Sequence, residues 1–241
     1  MATRSRNKRN AQKDERKTNW AIIGGIIGLG VVGLFGLLFA SLQGTGAPTA
    51  VPTPTRSLVL EDYCAANPAN CVATGAADAA LTVVEVSDYG CGHCANFNLN
   101  SADILRAQYV ESGQVRWITI PYALGGQNGY PTLPSAASAL CANEQGAFEP
   151  YHKALFGIQQ TADFNTRDGF LKIAGNLGLD TTAFAACYDD GRYESTVSAN
   201  IQAANRSGIS ATPTFFINGQ KVEGNLPIAN FQQLLDSELG S

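Results

Sequence analysis

Cys91 and Cys94, three positions apart in the segment LTVVEVSDYGCGHC that ends at Cys94, are the side chains best suited to chemistry in this 241-residue chain. The spacing lets the two sulfurs bond each other or trade that bond with a foreign thiol. An apolar β-type run precedes them and a helical pattern follows, so Cys91 falls at a helix N-terminus, where free N–H groups and the helix dipole stabilise a thiolate. Cys94 sits inside the first turn and is more shielded. His93 offers a positive charge or an N–H donor beside the Cys91 sulfur. A stable thiolate means a stable reduced form, and therefore an oxidising disulfide.

Glu85, six residues before Cys91, lies in a run that should pass through a sheet, where charges are rare. Two readings stand open: a partly buried carboxyl that takes or gives the Cys94 proton, or a strand-end glutamate reaching solvent. Asp88, nearer the turn, reads as a solvated or capping residue.

Four further cysteines complete an even count of six, which in an oxidising compartment predicts disulfides. Setting Cys91 and Cys94 aside leaves three possible pairings. Proximity favours Cys64 with Cys71 across YCAANPANC, and that leaves Cys141 with Cys187 in apolar helical stretches lacking a cation to ionise them. One CxxC and two histidines, His93 and His152, do not make the usual four-ligand zinc set, so no metal is expected. No other cofactor is implied either.

The elements that must position these residues follow from the pattern. Leu81–Val86 reads as a strand, Cys91 to about Glu111 as a helix and Val115–Tyr122 as a second strand, which implies a parallel pair with a right-handed crossover. A helical block spans about 131–207, broken near Gly146, 157–163, 178–180 and 189–191. Thr214–Asn218 and Gln220–Glu223 flank an Asn218-Gly219 hairpin turn. A last helix starts near Pro227 and carries Ile228, Phe231, Leu234, Leu235 and Leu239 on one face. Trp117, Tyr122 and Phe215 read as core aromatics.

Upstream, residues 1–18 hold seven basic side chains against Asp14 and Glu15, and no charge interrupts Trp20–Leu42. An uncharged stretch of that length crosses a hydrocarbon layer of ~30 Å, and the positive-inside bias leaves 1–18 in the cytoplasm. A single transmembrane anchor over 19–42, a Pro/Thr/Gly tether over 43–57 and an extracytoplasmic domain over 58–241 are therefore expected. The alternative is a cleaved secretory signal. Beyond residue 18 the chain is acidic, nine basic residues against eighteen acidic. Such a surface excludes phosphate-backbone binding, so no nucleic-acid partner is expected.

The segment SATPTFFING, in which Pro213 opens an apolar β run, joins Glu85 and the CGHC pair in a pattern that resembles the DsbA-type branch of the thioredoxin superfamily, from about residue 60 to 241. The resemblance implies an α/β thioredoxin fold with an inserted helical domain. It implies that Pro213 is cis and faces the redox pair, and that Thr212 offers backbone groups to an extended substrate. It also implies disulfide donation to exported cysteine-containing proteins, with reoxidation by a membrane partner of the DsbB or vitamin K epoxide reductase type. The dipeptide Gly92-His93 and a threonine before the proline resemble the isomerase branch instead. Reductase or isomerase action on misformed disulfides is thus the alternative.

Overall fold

Strand β2 (Leu81–Asp88) keeps the two-residue period of a pleated strand: Val84 and Val86 face one core, Leu81 and Val83 the other. A computed structural model describes residues 56–127 and 129–240. The expected basic tail, the expected anchor and nearly all of the expected tether lie outside the described residues. Among the described residues no helix is long and apolar enough to cross a membrane.

The chain begins with helix α1 (Val59–Ala66) and a short edge strand β1 (Val72–Thr74), two elements that the pattern of the sequence does not announce. After β2 come helix α2 (Gly92–Asn100), helix α3 (Ala102–Leu105) with a wider turn at Arg106–Val110, and β3 (Val115–Tyr122). Five helices follow: α4 (Leu133–Asn143), α5 (Phe148–Gly157), α6 (Arg167–Asn176), α7 (Thr181–Asp189) and α8 (Glu194–Arg206). Strands β4 (Thr214–Ile217) and β5 (Gln220–Glu223) and helix α9 (Ile228–Leu239) close the chain. The sheet order is β1-β3-β2-β4-β5, with β2 and β3 parallel and every other pair antiparallel. This is a thioredoxin-type α/β sheet with a helical insertion between β3 and β4.

Three details depart from the sequence reading. The single helix expected from Cys91 to about Glu111 is divided at Ser101 and widens at Arg106–Val110, the turn that carries Arg106. Strand β2 runs two residues past Val86, so Asp88 is buried and not solvated. Arg56, at the end of the stretch read as tether, bridges to Gln220 and pairs with Glu238 at 2.8 Å, so the chain already lies on the domain there.

At the hairpin, Asn218 and Gly219 both take positive φ, 48° and 77°, the geometry of the turn that the Asn-Gly pair favours. Beneath the sheet Phe97, Trp117, Phe215 and Phe231 form an aromatic cluster with ring centroids 4.7–6.2 Å apart. Full burial of four rings makes this face a major source of stability, with ~3–5 kcal/mol expected for truncating any one of them to alanine.

Cys64 is bonded to Cys71, and Cys141 to Cys187 across α4 and α7. The second link closes a loop with a sequence separation of 46. On the loop-entropy account it contributes about 4 kcal/mol, against about 2.4 kcal/mol for the first. Urea unfolding of the Cys141→Ser/Cys187→Ser chain should lose roughly that larger amount with the redox couple intact. A loss no larger than that of Cys64→Ser/Cys71→Ser would contradict this ranking.

Candidate active site

Cys91 caps the N-terminus of α2, where β2 hands over to a helix through the turn Asp88–Gly90. Asp88 builds that turn. Its backbone carbonyl accepts from Cys91 N–H at 3.1 Å, and its carboxylate accepts from Gly90 N–H, Leu124 N–H and the Thr132 hydroxyl. Asp88 is therefore a capping residue, buried among donors.

The two cysteines differ sharply in surroundings. Cys91 is partly exposed and Cys94 is 0% exposed, and both are free thiols. The Cys91 thiol is pulled down to about 5, chiefly by a hydrogen bond from the Cys94 thiol. The Thr212 side chain and the backbone N–H groups of Cys94 and His93 add to this, against an opposing contribution from burial. Burial, and then the thiolate of Cys91, push the Cys94 thiol far above its ordinary range. In the thiol form Cys91 Sγ lies 3.2 Å from the Thr212 carbonyl oxygen, and the Thr212–Pro213 bond is cis.

His93 is exposed, and its ring makes no hydrogen bond among the described residues. The His93 backbone N–H is one of the groups that hold the Cys91 thiol down.

Glu85 is 0% exposed, which removes the solvent-reaching reading. Its carboxylate accepts from Ser87 at 2.6 Å, Asn98 at 2.8 Å and the Trp117 indole at 3.0 Å, and Arg106 approaches to 3.8 Å. No hydrogen bond joins Glu85 to Cys94 among the described residues. The link runs through Asn98, whose amide also donates to the Cys94 carbonyl at 3.2 Å.

Sequence reasoning missed Asn98, Arg106, Tyr89 and His152 in this neighbourhood. Only Asn98 carried a local signal, four residues after Cys94 on the buried face of α2. Arg106 lies between Glu85 and Glu149, with Glu149 Oε2 at 2.6 Å. Among the described residues no cluster of three or more His, Cys, Asp or Glu side chains is placed to hold a metal ion.

Comparison with known proteins places this geometry in context. Residues 67–237 match the family model described as thioredoxin. The Na(+)/H(+) antiporter NhaA of Herminiimonas arsenicoxydans is 31% identical over 164 residues, covering 68% of this chain and 25% of the antiporter. The chain spans about a quarter of the length of the antiporter relatives that it matches. Disulfide bond formation protein D of Bacillus subtilis is 23% identical over 171 residues, covering 68% of this chain and 75% of that protein. The crystal structure of Wolbachia pipientis alpha-DsbA1 superposes with a TM-score of 0.62 at 23% identity, over 71% of this chain and 92% of that one, a likeness of fold.

Proposed function

This chain belongs to the thioredoxin family, and we propose that Cys91 and Cys94 are its thiol-disulfide exchange site and that it donates their disulfide to exported proteins. The observation that carries this reading is the separation of the two thiols, Cys91 at about 5 and Cys94 far above its ordinary range.

Magnitudes decide the direction. Relative to a free cysteine near 8.5, a thiol at about 5 gains roughly 30-fold in thiolate at pH 7. It loses roughly 25- to 55-fold in intrinsic nucleophilicity through a Brønsted coefficient of about 0.4–0.5. As an attacking group Cys91 therefore gains almost nothing. As a leaving group it gains fully, and the reduced form is stabilised as well.

The steps then balance. A client thiolate attacks the Cys91 sulfur, the Cys91–Cys94 bond breaks, and Cys94 leaves and takes up a proton. A second client thiolate attacks the client sulfur of the mixed disulfide, and Cys91 leaves as thiolate. The client is oxidised by two electrons, the redox pair is reduced, and of the two client protons one stays on Cys94 and one goes to solvent. Thr212 and Pro213, beside Cys91, are the docking groups of this reading. Glu85 is the buried carboxyl of this reading, tied through Asn98 to the backbone carbonyl of Cys94.

The proposed place of work is outside the cytoplasm, with 19–42 as membrane anchor and 1–18 inside. Two closed disulfides besides the redox pair support an oxidising compartment. A quinone-linked membrane partner of the DsbB or vitamin K epoxide reductase type would restore the disulfide.

Equilibration with glutathione tests the reading. A donor should have a potential at or above about −180 mV, and a potential near about −270 mV would assign the couple to reduction instead. Alkylation trapping in cells should find Cys91 and Cys94 mostly oxidised. A mostly reduced pair would favour the isomerase alternative, which CGHC and Thr212 resemble.

A further inference from the structure

Helix α5 of the insertion carries a histidine that the redox chemistry above does not use. His152 is 1% exposed, yet both its ring nitrogens are engaged. Nδ1 lies 2.6 Å from the Tyr89 hydroxyl and Nε2 lies 3.0 Å from Asn98 Oδ1.

The polarity of this chain of bonds can be fixed from its far end. Asn98 Nδ2 faces two groups that can only accept here, the Glu85 carboxylate and the Cys94 carbonyl. The amide must therefore turn its N–H pair to them and its oxygen to His152. Nε2 must then carry the proton. Burial, and next the charge of Arg106, hold His152 well below its ordinary range, so Nδ1 is unprotonated and accepts from Tyr89. Every arrow runs the same way, from Tyr89 through His152 and Asn98 to Glu85 and the backbone of Cys94.

We propose that His152 is a positioning residue of the redox centre: its Nε2–H locks the Asn98 amide in the one orientation that donates to both Glu85 and the Cys94 carbonyl. This deepens the oxidoreductase reading and rests on it. The insertion thereby sets the electrostatics of the pair from outside the thioredoxin half. It also grips the preceding turn, since Gln159 donates to the Tyr89 carbonyl at 2.7 Å. The charged and titratable groups around this network are Tyr89 from the turn, Arg106 from the segment after α3, Glu85 from β2, and Glu149 and Tyr151 from α5 itself.

Were the amide to turn over, its oxygen would replace the N–H pair and bring a negative partial charge beside Glu85 and the Cys94 carbonyl. A second negative charge on Cys91 would then cost more, and the couple would become less oxidising. The test compares H152Q with H152N in the full chain, because a glutamine amide nitrogen stands where Nε2 does and an asparagine nitrogen does not reach it. In H152N the equilibrium constant against glutathione should fall about tenfold, or ~30 mV for this two-electron couple, with the Cys91 alkylation midpoint moving upward. In H152Q both should stay within about twofold of the parent, a rescue that a packing role alone would not produce. Tyr89→Phe, which removes one oxygen, frees the other tautomer and should shift both readouts in the same direction by less. It provides the measurement if H152N does not fold. Equal potentials in the parent and both folded variants, or equal displacement in H152Q and H152N, would overturn the proposal. The readout is the couple's own equilibrium with glutathione, so a failure of client oxidation at unchanged potential would count against the donor reading alone.

Discussion

Replacing Cys91 with serine should drop client oxidation to the uncatalysed rate, while replacing Cys94 should leave a chain that accumulates as a mixed disulfide through Cys91. The asymmetry follows from exposure. Cys91 is the sulfur a client can reach, and Cys94 is fully enclosed by the first turn of α2 and the sheet. Without Cys91 the remaining thiol is buried and held protonated, so neither attack nor departure is open to it. Without Cys94, Cys91 still exchanges with an oxidised client or with oxidised glutathione, but no internal sulfur can resolve the product. Non-reducing electrophoresis with mass measurement of the trapped adduct reads both outcomes. Equal adduct formation by the two single variants would show Cys94 to be as reachable as Cys91 and would break the mechanism. Cys94→Ala should in addition raise the Cys91 alkylation midpoint, because the Cys94 thiol is the largest influence holding it down.

The pH dependence of the couple gives the second large effect. Alkylation of Cys91 should rise with pH through a midpoint of about 5 and be flat from there to neutrality. The reduction potential should change slope at the same point. Below it, reduction takes up two protons for two electrons, ~59 mV per pH unit; above it, only Cys94 takes up a proton, and the slope halves to ~30 mV per pH unit. Stability moves in step. Between about 5 and the unfolded value near 8.5, the unfolded reduced chain binds a proton at Cys91 that the folded chain does not, so unfolding free energy rises with pH. The contribution is fully present above the unfolded value and is lost as pH falls through about 5. The oxidised chain has no such group. The urea midpoint of the reduced chain should therefore gain on that of the oxidised chain between pH 5 and 8, by an amount that solvent screening at the partly exposed sulfur reduces. A single slope of ~59 mV per pH unit across that range would show that Cys91 keeps its proton.

Local features of the sequence determined a good deal. A CxxC at the junction of a β run and a helical pattern, an apolar run opened by Pro213, and an Asn-Gly turn are decided by neighbours within a few positions. Their secondary structure follows from backbone sterics and hydrophobic period, so β2, β3, the hairpin and the helical block could be read directly. The register that sets Glu85 opposite Thr119 and Phe215 fixed its burial, which the sequence left open between two readings.

Only the tertiary structure decided what surrounds the sulfurs. Thr212 lies 121 positions from Cys91, and His152 lies 63 from Tyr89 and 54 from Asn98. Periodicity reports which face of an element is buried, and it does not report which distant polar group will meet it there. Buried polar atoms must find partners wherever the packing of the whole chain brings them, and it was that demand, not any local pattern, that joined α5 to the redox pair.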